Sequence, residues 1–167
     1  PIGFEQGGAL QLSTSSSTAR GAVRQISDPV STRRRAELGT AGERIRRALA
    51  SSPALARVAR NVHVEMTPEG LRIAIAEDEG ATFFASGSPA LEQRAEEILV
   101  IVAHELAPLA APVLVEGHTD ARPLHRADGY SNWELSTDRA HRARRVLVAN
   151  GIADPRIEAE ILQALAL

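Results

Sequence analysis

The chain has 167 residues, 44% of them apolar, which allows one domain of ordinary size with its own core and length left over for a tail. It has no cysteine, so a disulfide framework and a thiolate metal site are both excluded, while an oxidising compartment stays permitted. All nineteen basic residues are arginine, a compositional bias, and the net charge of −2 conceals an asymmetry: residues 1–60 hold ten arginines against four acids, residues 61–167 nine against seventeen.

Residues 1–39 read as a linker. Ser13 to Thr18 is a low-complexity polar tract, Asp28-Pro29 and Arg33-Arg34-Arg35 follow, and there are too few large apolar side chains to offset the entropy of ordering. The arginines of this basic leader are scattered and lack interleaved aromatics, which speaks for a solvated segment and against a nucleic-acid surface. The opening Pro1-Ile2-Gly3-Phe4-Glu5 has no initiator methionine and reads as the start of a fragment.

Thr40 and Glu43 stand at capping-box spacing ahead of Ile45, Ala48 and Leu49, which predicts a helix from Thr40 within a segment 40–60. Ser52-Pro53 then restarts a turn or two, with Leu55, Val58 and Ala59 inward. Val62, Val64 and Met66 alternate with His63 and Glu65, Thr67-Pro68-Glu69-Gly70 turns, and Leu71, Ile73 and Ile75 alternate again. This is a β-hairpin with one buried face, on which His63 has the wrong parity for the core.

An acidic loop, Glu77 to Glu79, leads to Phe83-Phe84, read as core plugs. Ser88 is placed to cap a helix with Pro89 at its first position and Leu91, Ala95, Ile98, Leu99, Val102 and Leu106 as its stripe. The longest apolar stretch, Ile98 to Val115, is interrupted by His104, Glu105, Pro108 and Pro112, and so reads as a helix running into a strand, not a membrane span.

That strand, Pro112 to Val115, ends at Glu116-Gly117, which puts the polar residues after it at a strand's carboxyl end. A turn-rich loop, Ala121 to Tyr130, precedes a helix that begins near Ser131 or Asn132 and stops before Gly151. On a helical wheel Trp133, Leu135, Ala140, Ala143, Val146 and Leu147 share about half the circumference. Arg142 and Arg144 border that arc and Arg145 lies opposite, but Arg139 falls inside it. A guanidinium on a core-facing stripe needs a carboxylate or a ligand anion. Asp120 is the natural candidate, and two readings stay open: a bridge pinning loop to helix, or a ligand site. A weak strand, Arg156 to Glu160, closes the pattern, so the order is hairpin, helix, strand, helix, strand, with helices on one face of a small mixed sheet.

A competing reading is a metal-dependent hydrolase. Glu116, His118 and Asp120 alternate at the strand end, and His125, Asp128 and His141 are within reach in sequence, which would supply nitrogen and oxygen ligands for zinc. No His-Glu-x-x-His pair accompanies them, and no Gly-x-Ser-x-Gly elbow points to a serine nucleophile.

Gly117-His118-Thr119-Asp120, followed by Asn132, Leu135-Ser136 and Arg139-Ala140 at helical spacing, resembles the signature of OmpA-like peptidoglycan-binding domains. The Phe84-x-x-Gly87-Ser88 phrasing resembles it too. With Pro123 soon after the Asp, and Ser131-Asn132-Trp133-Glu134-Leu135-Ser136 complete, the resemblance narrows to the MotB-type flagellar stator proteins, and it covers Val62 to Ile157.

The resemblance implies an α+β fold, an OmpA-like sandwich in which a small mixed β-sheet carries helices on one face. Residues 61–167 would form the peptidoglycan-binding domain, 40–60 a linker helix, and 1–39 a periplasmic plug and linker. It implies a non-catalytic protein without cofactor or metal. The site residues would be Asp120 and Arg139, gripping the diaminopimelate of the stem peptide, with Thr119, Asn132 and Leu135 around them. The free end of diaminopimelate is a zwitterion, so an Asp for the ammonium and an Arg fork for the carboxylate match both charges. The implied partners are a MotA-like membrane stator subunit and a second copy in a homodimer. The location would be periplasmic, tethered to the inner membrane by an N-terminal helix outside this chain. A wall anchor of another envelope machine would use the same chemistry, but Trp133 beside Asn132 and the Pro1 to Phe4 segment favour the stator. The apolar tail Ile161 to Leu167 departs from the family, where a strand runs into a glycine-containing segment.

Overall fold

The computed structural model describes residues 9–13, 29–78, 81–119, 124 and 128–161. Five strands form one sheet: β1 (Ala9–Ser13), β2 (Val62–Met66), β3 (Leu71–Ala76), β4 (Val113–Gly117) and β5 (Ile157–Ile161), in the order β2-β3-β1-β4-β5. β1 runs antiparallel to both β3 and β4, β2 is antiparallel to β3, and β5 is parallel to β4, so the sheet is mixed. Helices α1 (Pro29–Ser51), α2 (Gln93–Leu106) and α3 (Asn132–Ala149) cover one face of the sheet. The α+β expectation, with helices on one face of a small mixed sheet, is met.

Alternation explains which face the helices take. Leu12, Val62, Val64, Leu71, Ile73, Ile75, Val113, Val115 and Ile157 are all buried in one core with Ile45, Ile98, Leu99, Val102 and Leu147 from the helices. The opposite face is polar, with His63 and Glu65 exposed and Arg72 donating to Gln11 at 2.6 Å. His63 has the predicted outward parity.

The linker reading of residues 1–39 needs correcting in two places. Residues 9–13 form the central strand, and α1 begins at Pro29, well before Thr40. A five-residue strand that offers Leu12 to the core is too short to register alone. Its partners lie more than fifty residues away in the chain, at Arg72–Ala76 and Leu114–Gly117. Thr40 is no cap, since its hydroxyl donates back to the Ala36 carbonyl at 3.0 Å, and Glu43 pairs with Arg46. Arg33 and Glu37, one turn apart, form an ion pair that suits an exposed helix face more than a disordered run. Gly42 lets α1 approach the hairpin, because a Cβ there would stand 2.9 Å from a Leu71 methyl.

The second helix also starts later than its sequence signal. Its N-cap is Glu92, and the Ser88 hydroxyl instead accepts from the Ala90 amide at 3.1 Å in a local turn. Its far end is closed by Arg156, whose guanidinium donates to the carbonyls of Leu106, Ala107 and Ala111 at 2.8–3.2 Å. These carbonyls lie at the end of α2 and in the turn that follows it, so Arg156 ties the start of β5 to that corner. The tail beyond Ile161 lies outside the described residues.

Candidate functional site

Arg139 sits on the inward face of α3 with only 7% of its side chain exposed. Its Nε donates to the Ser88 carbonyl at 3.3 Å, and the guanidinium carbon lies 4.5 Å from the centre of the Phe84 ring. Nη1 lies 4.0 Å from Oε2 of Glu77, itself only 14% exposed. The other carboxylate oxygen of Glu77 accepts from the amides of Phe83 and Phe84 at 2.8 and 2.7 Å. Among the described residues, a carbonyl at Nε, an aromatic face and a charge thus help to hold the cation.

Glu77, the first residue of the acidic loop, thus faces inward. The signal was present, because Leu71, Ile73 and Ile75 face inward and Glu77 continues their parity one step past the strand. Phe84 is buried as expected of a core plug, yet it also carries the cation.

The end of β4 meets α3 through backbone. A Cβ on Gly117 would stand 2.2 Å from the Ser136 carbonyl oxygen and 3.2 Å from the Ala140 nitrogen, so only glycine permits this approach. Thr119 follows, 6% exposed, and Asp120 lies outside the described residues. Between them His118 is half-buried, and its Nε2 has no hydrogen-bond partner among the described residues. Burial pushes its pKa below the ordinary histidine value, Glu116 works against that, and Arg72 adds to it.

The start of α3 is set by Ser131 and Glu134, which form a reciprocal capping box. The Ser131 hydroxyl, then the backbone amides of Glu134 and of Ser131, hold the Glu134 carboxyl below the usual range. Tyr130 closes over the same turn, its hydroxyl donating to Asp138 at 2.7 Å. Asn132 is the first helical residue and is half-buried. Leu135 is buried, 4% exposed, but stands apart from the main core cluster. Trp133 does not join the apolar arc: in the first turn of the helix it is 45% exposed. Along the rest of the helix Ala140, Ala143, Val146 and Leu147 are buried, Arg142 and Arg144 are half-buried and Arg145 is exposed, as the wheel predicts.

Of the predicted site residues, Arg139, Thr119, Asn132 and Leu135 belong to α3 or the end of β4, two elements that touch. Of the hydrolase set, Asp120 and His125 lie outside the described residues, and His141 is exposed. Among the described residues no group of three or more His, Asp or Glu is arranged to hold a metal ion. Nor is any helix there long and apolar enough to cross a membrane.

Residues 83–164 match the OmpA family. Motility protein B of Escherichia coli strain K12 is 34% identical over 108 residues, which cover 64% of this chain and 35% of that protein. Motility protein B of Bacillus subtilis strain 168 is 30% identical over 113 residues, covering 65% and 39%. The putative flagellar export/assembly protein LafU of Escherichia coli O44:H18 is 34% identical over 102 residues, covering 61% and 33%. The chain thus matches a third to two fifths of the length of these relatives. Among solved structures, the cell wall anchor of the T6SS from Pseudomonas aeruginosa is similar at a TM-score of 0.52 and 29% identity, over 71% of this chain and 80% of that one.

Proposed function

We propose, starting from the match of residues 83–164 to the OmpA family, that the chain is a non-catalytic peptidoglycan-binding domain that anchors an ion-driven flagellar stator to the cell wall. The observation that carries this reading is Arg139, a guanidinium held rigidly inside the domain beside the helix turn that packs on Gly117. A preformed Arg fork suits a carboxylate, and Asp120, three residues beyond Gly117, suits the neighbouring ammonium of a diaminopimelate stem. In this reading Thr119, Asn132 and Leu135 complete the site. The likeness to Motility protein B supports the stator as the machine, with a MotA-like membrane subunit as partner in the inner membrane. In this reading the domain works in the periplasm as a homodimer, each copy gripping reversibly and the pair supplying avidity. The anchor holds the stator still, so that torque acts on the rotor.

Co-sedimentation with purified diaminopimelate-type sacculi tests the reading. The unaltered chain should pellet, while Asp120→Ala and Arg139→Ala, each shown to be folded, should stay in solution. If all three pellet, binding lies elsewhere and Arg139 is only a structural bridge.

A second reading has a specific observation in its favour, the similarity to a secretion-system wall anchor. The wall chemistry is the same and the machine differs. A single N-terminal membrane helix carrying an aspartate in the full-length protein would mark a proton-driven stator, since that machine needs an ionisable group in the membrane.

A further inference from the structure

We propose that Glu77 is a resident counter-charge of Arg139, and that by competing with the ligand it tunes how strongly the site takes a carboxylate. The inference rests on the peptidoglycan reading above and concerns the same guanidinium.

Glu77 is fixed by its own bonds. Oε1 accepts from two adjacent amides, those of Phe83 and Phe84, which leaves Oε2 directed at Arg139. At 4.0 Å that oxygen is too far for a hydrogen bond but close enough for a strong charge interaction, with both side chains largely shielded from water. Among the described residues the Ser88 carbonyl and the Phe84 ring also hold the guanidinium. With no hydrogen bond across that 4.0 Å gap, Glu77 contributes field more than geometry.

Two consequences have opposite signs. In the unliganded domain a buried guanidinium is costly without an anion nearby, so Glu77 stabilises the fold. When a ligand carboxylate approaches the same guanidinium, Glu77 repels it, so the charge that stabilises the empty domain weakens the complex. A ligand whose carboxylate is replaced by a neutral amide feels little of that repulsion. Glu77 thus tunes the discrimination between stems with a free diaminopimelate carboxylate and stems in which it is amidated, and it keeps the grip of each domain modest enough to release.

Glu77→Gln tests this, because the amide oxygen still accepts from Phe83 and Phe84 while the charge is gone. Calorimetric titration of the whole 167-residue chain would use two synthetic stem peptides, one with the free diaminopimelate carboxylate and one amidated, alongside thermal melts without ligand. The variant should melt lower than the unaltered chain, yet bind the free-acid peptide about three- to ten-fold tighter, with the amidated peptide unchanged within about two-fold. Equal or weaker binding of the free-acid peptide overturns the inference and leaves Glu77 as a loop pin. If the unaltered chain binds neither peptide, the proposed function itself fails and this inference with it. If Glu77→Gln does not fold, the double variant Glu77→Gln/Arg139→Gln decides: folding restored by removing both charges supports the counter-charge, and continued unfolding overturns it.

Discussion

The backbone of Gly117 lies so close to that of Ser136 that a Cβ on the glycine would meet the serine carbonyl oxygen at 2.2 Å. The contact joins the end of β4 to the first half of α3, and through α3 it fixes where Arg139 stands relative to Thr119. Neither backbone can yield as a flexible side chain would. Gly117→Ala is expected to cost about 3 kcal/mol in urea denaturation, as overpacking does at a site that cannot relax, and to abolish sacculus binding along with the α3 docking.

β1 is a structural strand where composition suggests a linker, and Leu12 is its anchor in the core at 1% exposure. Leu12→Ala should destabilise the domain by about 3 kcal/mol in the same assay, through lost transfer energy and the cavity left behind. An unchanged denaturation midpoint would mean that residues 9–13 do not belong to the sheet.

Arg156 closes the carboxyl end of α2 with four donated hydrogen bonds to three carbonyls. Arg156→Ala removes them together and should cost roughly 2–3 kcal/mol, given that charged hydrogen bonds contribute more than neutral ones but not additively. Arg156→Lys should recover only part of this, since an ammonium cannot span carbonyls on both sides of a planar fork. Thermal melts of the three proteins in parallel are sufficient to rank them.

Acid should weaken the fold through His118. Its folded pKa is lowered by burial, so below about pH 6.5 the unfolded chain takes up a proton that the folded chain resists. Stability from this group is therefore full above that pH and is lost as pH falls toward the lower folded value. The melting temperature of the unaltered chain should drop across that window, and His118→Gln should show a shallower drop. Equal slopes would remove His118 as the cause.

Much of the fold was legible locally. The hairpin of Val62–Met66 and Leu71–Ala76 could be read because period-two alternation and a glycine turn are both local signals. The stripe of α3 and the inward position of Arg139 followed from the helical period alone, and so did the need for a counter-charge. The caps were harder to read, since Thr40 and Ser88 have the right chemistry at the wrong place. A capping residue acts only where the chain already turns into a helix, and packing decides where that is.

The sequence by itself determined the element types from Val62 onward, the face most of them bury, and the family signature from Gly117 to Ala140, because these depend on residues a few positions apart. Tertiary structure alone decided that Ala9–Ser13 fills the centre of the sheet, that Gly117 must be glycine, and that Glu77 faces Arg139. Each of these joins segments tens of residues apart. The energy that selects such a partner comes from shape and burial in the assembled core, and a short stretch of chain does not carry it.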